Sequence, residues 1–102
     1  MSLSLHFVSM NGINFYIYAI VSLIDNRIYV GMSQNVEQRI REHNAGKVSS
    51  TKHFVPWVNF FTQFAGNATE AGKLEKYYKS AAGKRRLRKI PDFLKPGSLP
   101  AC

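Results

Sequence analysis

The spacing of apolar and polar positions changes several times along this chain, and each change marks an element. From Phe15 to Ser22 the run Phe-Tyr-Ile-Tyr-Ala-Ile-Val-Ser is rich in β-branched and aromatic side chains and predicts a strand. Asp25-Asn26 predicts a turn and Arg27–Met32 a second strand, paired with the first as an antiparallel hairpin. With any even loop length Tyr16, Tyr18 and Ile20 share a sheet face with Tyr29 and Gly31. A two-residue turn would set Tyr29 opposite Ser22 and Tyr18 opposite Ser33, leaving the two tyrosines about 13 Å apart along the sheet. Bringing them together requires a bulge or a longer loop.

The period then becomes helical. Asn35 and Gln38 form a capping-box pattern, and Gly46 suits the C-terminal stop. Val36, Ile40 and His43 fall on one stripe with Arg39 beside it, while Glu37, Gln38, Arg41 and Glu42 take the other side. Residues 47–56 read as a polar loop, and Trp57–Phe64 as a third strand with apolar groups on both faces. Asn67 and Glu70 form a second capping-box pattern, opening a helix expected to run to about Ala82 and to end at Gly83. A short basic segment, Lys84–Ile90, follows and is stopped by Pro91. Residues 1–14 read as a lead-in with a turn signal at Asn11-Gly12, and residues 95–102 as a frayed tail. The pattern predicts one α/β (α+β) domain over residues 15–94, a three-stranded, mostly antiparallel sheet flanked by helices.

Composition narrows the class. With 102 residues there is room for one domain, and Leu, Ile, Val and Phe supply 28 of them, enough for a core. No apolar run reaches the roughly 18 residues of a membrane span. The first residues do not read as a secretory leader, and the single Cys102 has no partner for an internal disulfide, so an intracellular, cytoplasmic setting is expected.

One acid stands out. On the helix after Asn67, Ala68, Ala71, Leu74, Tyr78 and Ala82 form an apolar stripe, and Glu75 falls inside it. A buried ionised carboxylate must be paired, coordinated to a cation, or placed in a cleft. The ordinary reading is a salt bridge to Arg39 or to Lys79; the functional one is a site.

Charge points outward. Fourteen Lys and Arg against six Asp and Glu give +8. Between Lys73 and Lys89, Glu75 faces Lys73, Lys76, Lys79, Lys84, Arg85, Arg86, Arg88 and Lys89. A charge run is usually a solvated helix face, but one this one-sided favours a phosphate backbone, with Lys47 and Lys52 extending the track.

The ordered set Tyr16-Ile17-Tyr18, Tyr29-Val30-Gly31, Arg39, His43 and Glu75 over a β-β-α-β-α pattern resembles the GIY-YIG endonuclease domain, in particular its small standalone members. Asn44-Ala45-Gly46-Lys47, Thr51-Lys52 and Pro56-Trp57 are similar to that group as well. The resemblance covers roughly residues 15–90. It implies one-metal phosphodiester hydrolysis, DNA favoured over RNA, with Glu75 holding a single Mg²⁺ or Mn²⁺. Tyr29 would position or deprotonate the attacking water, supported by Tyr18. Arg39 would grip the phosphate, and His43 would relay a proton or bond a phosphate oxygen.

Each residue also has an ordinary reading: Tyr16 and Tyr18 as sheet residues, Tyr29 and His43 as packing residues, and His53 as a solvated loop side chain. The sequence departs from the family in three places. Tyr16 replaces the first Gly, Met32 stands where some members have Lys, and neither Asn nor Gln follows Asn67, although many members carry an Asn near the domain's end. The departures leave open a weaker catalyst, a substitute residue, or a nucleic-acid-binding domain that does not cut. A basic protein-interaction module is the third alternative. With one domain, target choice would be modest or supplied by a protein partner.

Overall fold

The computed structural model describes residues 14–90; the expected lead-in, the Asn11-Gly12 turn and the tail lie outside the described residues. Strand β1 (Phe15–Ser22) has the predicted bounds, β2 is Ile28–Ser33, and β3 is Trp57–Gly66, two residues longer than predicted. Helix α1 is Val36–Asn44, α2 is Ala68–Lys79 and α3 is Ala81–Arg88, with a single 3₁₀ turn at Lys52–Phe54. The sheet is antiparallel throughout, in the order β2-β1-β3, so the most apolar strand lies at the centre.

Register, which the sequence left open, turns on the hairpin loop. Ser22 and Arg27 close it through a backbone bond of 2.9 Å, and Asn26 adopts a positive φ of 66°. The loop is therefore Leu23–Asn26, four residues long. It preserves the even parity but moves the strands two residues from the two-residue-turn register, pairing Tyr18 with Gly31 and Ile20 with Tyr29.

Alternation along β1 divides the core in two. Ile17, Ala19 and Val21 join Ile28, Val30 and Phe60 on the face that Ala71, Tyr78 and Leu87 cover from α2 and α3. Tyr18, Ile20 and Trp57 occupy the opposite face with Tyr29, against Val36 and Ile40 of α1. A register shift between Ala19 and Ile20 leaves an extra residue in β3, which brings Phe60 and Phe61 both to the α2 side.

The expected helix to Ala82 is broken. Ser80 caps the end of α2, and its hydroxyl accepts from the Gly83 backbone N–H to start α3. Gly83 is therefore buried in the first turn of α3 and does not end a helix. A side chain there would strike the Tyr77 carbonyl and approach the Tyr78 Cα to 2.6 Å, so the two helices meet only because this position lacks a Cβ. The break also narrows the apolar stripe: Ala71 and Tyr78 are buried, while Ala68 and Ala82 are exposed. The second capping box forms in full, Glu70 and Asn67 bonding each other's backbone. In the first, Asn35 accepts from the Gln38 N–H, but the return bond joins the two side chains at 3.4 Å.

Candidate functional site

The site grows from the hairpin. Tyr18 lies opposite Gly31, and an added Cβ at Gly31 would stand 2.5 Å from the Tyr18 oxygen and 2.7 Å from its Cζ. The missing side chain lets the phenol lie across the edge strand. Its hydroxyl then meets His43 Nε2 at 2.7 Å. His43 is completely enclosed, and its Nδ1 is 2.8 Å from the Thr51 hydroxyl. Thr51 donates to the Val48 carbonyl at 3.4 Å, which leaves its oxygen to accept from His43 Nδ1–H. In that arrangement Nε2 accepts the Tyr18 proton, and every group in the chain of bonds is satisfied.

Burial sets the protonation states. It pushes the Tyr18 phenol up to about 12, helped by neighbouring Tyr29 and opposed by the Arg39 guanidinium within its reach. It lowers His43 from the ordinary imidazole value, with Arg39 reinforcing the effect. Tyr18 and His43 are thus a neutral donor and a neutral acceptor. With both nitrogens engaged and no exposed surface, His43 does not offer a phosphate oxygen a bond; it fixes Tyr18.

Tyr29 completes an aromatic cluster, its ring centroid 4.9 Å from His43, 6.4 Å from Tyr18 and 6.3 Å from Trp57. Unlike Tyr18 it is only half-buried. Arg39 pairs with Glu42 at 2.8 Å, which holds the Glu42 carboxyl below its usual range. It also opens onto a cleft of about 340 Å³ lined by Phe15, Ser33, Gln34, Asn35, Gln38 and Glu42.

The wall behind His43 comes from residues that the sequence pattern does not mark as a site. Thr51 sits in the stretch read as polar loop, yet it is buried, and its carbonyl accepts from Trp57 Nε1–H at 3.0 Å. Asn44, the last residue of α1, bonds both the backbone N–H and carbonyl of Trp57, at 2.7 and 3.0 Å. Side-chain bonds thus tie α1 to β3. The visible signal is modest: an Asn at the helix end, then Thr51 and Trp57 on either side of a Pro.

Glu75 comes from α2, on the other side of the sheet, and is the weakest of the influences that raise or lower the Tyr18 phenol. It lies at the margin of the α2 stripe, its side chain 24 % exposed, and pairs with Lys79 at 3.3 Å. Of the two salt bridges weighed for it, the structure contains the one to Lys79; Arg39 is engaged with Glu42. Among the described residues no three His, Cys, Asp or Glu side chains converge on a metal position. A half-open carboxylate is nevertheless a suitable hard oxygen donor for an ion that keeps several waters and takes further ligands from a phosphate.

The remaining candidates form two groups. Arg85, Arg86, Arg88 and Lys89 lie exposed on and after α3, and Lys84 is half-buried there. Lys47 and Lys52 are exposed in the loop after α1, with His53 exposed beside Lys52. Tyr16 packs edge-to-face on Phe64 and takes no part in the Tyr18 cluster. Among the described residues no helix is long and apolar enough to cross a membrane.

Comparison with known proteins agrees with this geometry. Residues 14–89 match the GIY-YIG catalytic domain. The chain is similar to a UPF0213 protein of Staphylococcus haemolyticus, 36 % identical over 78 residues, spanning 76 % of this chain and 94 % of that protein. It is also similar to a UPF0213 protein of Bacillus licheniformis, 27 % identical over 85 residues, 82 % of this chain and 88 % of the relative. No solved structure gives a significant match. The hairpin tyrosines, the α1 arginine and histidine and the α2 glutamate lie within the matched residues of a β-β-α-β-α fold, and the chain belongs to the GIY-YIG family.

Proposed function

We propose that this domain is a metal-dependent endonuclease that hydrolyses phosphodiester bonds, with DNA the favoured substrate. The observation that carries the reading is the gathering of Tyr18, Tyr29, Arg39 and His43 on the α1 face of the sheet. Arg39 grips the scissile phosphate with its planar fork at the cleft. Tyr29, the more accessible phenol, orients the attacking water through its oxygen. Tyr18 keeps its proton at neutral pH, so its part is positional, and His43 with Thr51 holds it in place. Glu75 would hold a single Mg²⁺ or Mn²⁺. Such an ion neutralises charge on the phosphate and eases departure of the leaving oxygen. Lys47, Lys52, Lys84, Arg85, Arg86, Arg88 and Lys89 supply the cationic surface for the backbone.

The test is incubation of the purified protein with branched, flapped and single-stranded DNA in Mg²⁺ or Mn²⁺. Cleavage should fall by about 10²-fold or more in Glu75→Ala and in Arg39→Ala, the scale of losing one electrostatic stabiliser. Equal products from wild type and Glu75→Ala would overturn the reading.

The Glu75–Lys79 pair favours a second reading, a nucleic-acid-binding domain on the same fold that does not cut. Its signature is absence of turnover together with salt-sensitive binding that Glu75→Ala leaves intact or improves.

A further inference from the structure

The sheet face that carries Tyr18 continues beyond the part covered by α1. Tyr16 and Phe64 are directly opposed on β1 and β3, so their side chains share that face with Tyr18 and Thr62. Their rings meet edge-to-face, 5.4 Å between centroids and 74° between planes. Phe64 is 57 % exposed, whereas Tyr18, two residues along from Tyr16, is enclosed. Between Tyr16 and the start of α1 runs a groove of about 230 Å³, lined by Tyr16, Gln34, Asn35, Val36, Glu37 and Thr62, and Phe64 stands beside it on the far side of the Tyr16 ring. It shares Gln34 and Asn35 with the cleft that holds Arg39, so adjoining surfaces lead from the guanidinium to Tyr16, against which the Phe64 ring packs.

We propose that Phe64, braced by Tyr16, is a stacking platform for one unpaired base of the nucleic acid, and that the substrate has a single-stranded nucleotide beside the phosphate held at Arg39. This rests on the nuclease reading above and specifies its substrate class. Three observations argue for a base as the occupant. The groove lining contains no Lys or Arg and includes the Glu37 carboxylate, which repels a phosphate but accepts from an exocyclic amine; Arg39 is the cation of the adjoining cleft. The groove is smaller than the ~300–1,000 Å³ of sites for drug-sized ligands, on the scale of a single base. An exposed ring held at a fixed angle by a second ring offers a stacking face, and any base presents one in return. Bases within a duplex are already stacked, so the platform selects those that are not.

The experiment measures fluorescence anisotropy of the whole protein, without divalent ions, on a blunt DNA duplex and on the same duplex carrying a short unpaired flap. Wild type should bind the flapped DNA more tightly. Phe64→Ala and Phe64→Leu should lose that advantage, about tenfold, with blunt-duplex affinity unchanged. Phe64→Ala gives up the ring contact with Tyr16 and should lower the melting temperature slightly, whereas Phe64→Leu retains apolar bulk without an aromatic face and should stay close to wild type, so the Leu variant separates stacking from stability. Phe64→Trp should keep the preference, and its added emission should be quenched by flapped and not by blunt DNA; Trp57, enclosed in the core, supplies the unchanged background. A flap advantage that survives Phe64→Ala, or wild type binding the two DNAs equally, overturns the platform and leaves the nuclease reading standing. Binding to neither DNA overturns both.

Discussion

On one side of the sheet, α2 and α3 cover Ile17, Ala19, Val21, Ile28 and Val30 almost entirely by apolar contact, and Tyr78 sends its hydroxyl outward to Gln63 at 2.9 Å. On the other, α1 covers Tyr18 and Ile20 together with a fully enclosed histidine and a buried threonine, joined by bonds of 2.7 and 2.8 Å. An apolar interface is held by area and shape and accepts swaps that keep volume. A buried polar network holds one arrangement, because each group that loses its partner carries the desolvation cost uncompensated. The α2–α3 side is thus the more tolerant of substitution, and the α1 side holds the Tyr18 cluster in one arrangement.

Leu87 tests the apolar half most severely. It is fully buried and is the main anchor of α3. Leu87→Ala should lower unfolding free energy by about 2–5 kcal/mol, while Leu87→Met should cost less than about 1.5 kcal/mol. Denaturant titration checks both, and a Met variant as damaged as the Ala variant would show that this face too depends on detail.

Gly31 tests the polar half. Gly31→Ala places a methyl 2.5 Å from a phenol oxygen that is not free to move, since it is bonded to His43. The expected cost is about 1–3 kcal/mol, with loss of any activity that needs Tyr18 in place. Tyr18→Phe should cost a similar about 1–3 kcal/mol by leaving His43 Nε2 unpartnered. The double variant should fall short of the sum, because removing the hydroxyl also removes the closest clash. Strict additivity in a double-mutant cycle would separate the glycine from the network.

How much of this was readable in advance depends on what fixed each feature. β1, the caps at Asn35 and Asn67, and the face shared by Tyr18 and Tyr29 follow from local period and capping chemistry, and the structure contains them. The Tyr18–Tyr29 approach was unreadable because parity is the same for loops of two and four residues, and only tertiary packing chose four. The helix break at Ser80 was visible in type, Ser being a strong cap, but Ala81 and Ala82 continue a helical pattern that hides it. Thr51 escaped because nothing in its neighbours marks it as buried; its burial comes from His43 and Trp57, both distant in the chain. Glu75 falls inside the α2 stripe only if Ala68 and Ala82 are buried; both are exposed, which leaves the carboxylate at the margin.

Acid should act through the polar half. His43 has its folded value below the unfolded imidazole's, so its contribution is present above about pH 6.5 and is lost as pH falls towards the depressed folded value. One proton limits the slope in that window to at most ~1.4 kcal/mol per pH unit. Asp25 and Glu42, both lowered from ordinary carboxylate values, act at more acidic pH. Denaturation midpoints from pH 7.5 to 5 check this, with His53→Gln, an exposed position, keeping the wild-type slope. A slope abolished by His53→Gln would place the titrating group outside the core.

The smallest stability effect, and the sharpest separation of the two halves, is expected from the exposed cations on and just after α3. Arg85, Arg86 and Lys89 are exposed while Leu87 between them faces the core. Replacing all three with Gln leaves the buried contacts alone, so unfolding free energy should change by no more than about 0.5 kcal/mol. Nucleic-acid binding should respond quite differently. Each phosphate contact removed lowers the slope of log affinity against log salt by about 0.9 on duplex DNA, so the triple variant should lose up to roughly three units of slope. That loss should be the same on blunt and flapped duplexes, because these side chains meet the backbone and not the bases. A triple variant with the wild-type salt slope would show that these three charges are a solvated face and that the phosphate backbone is met by other cations.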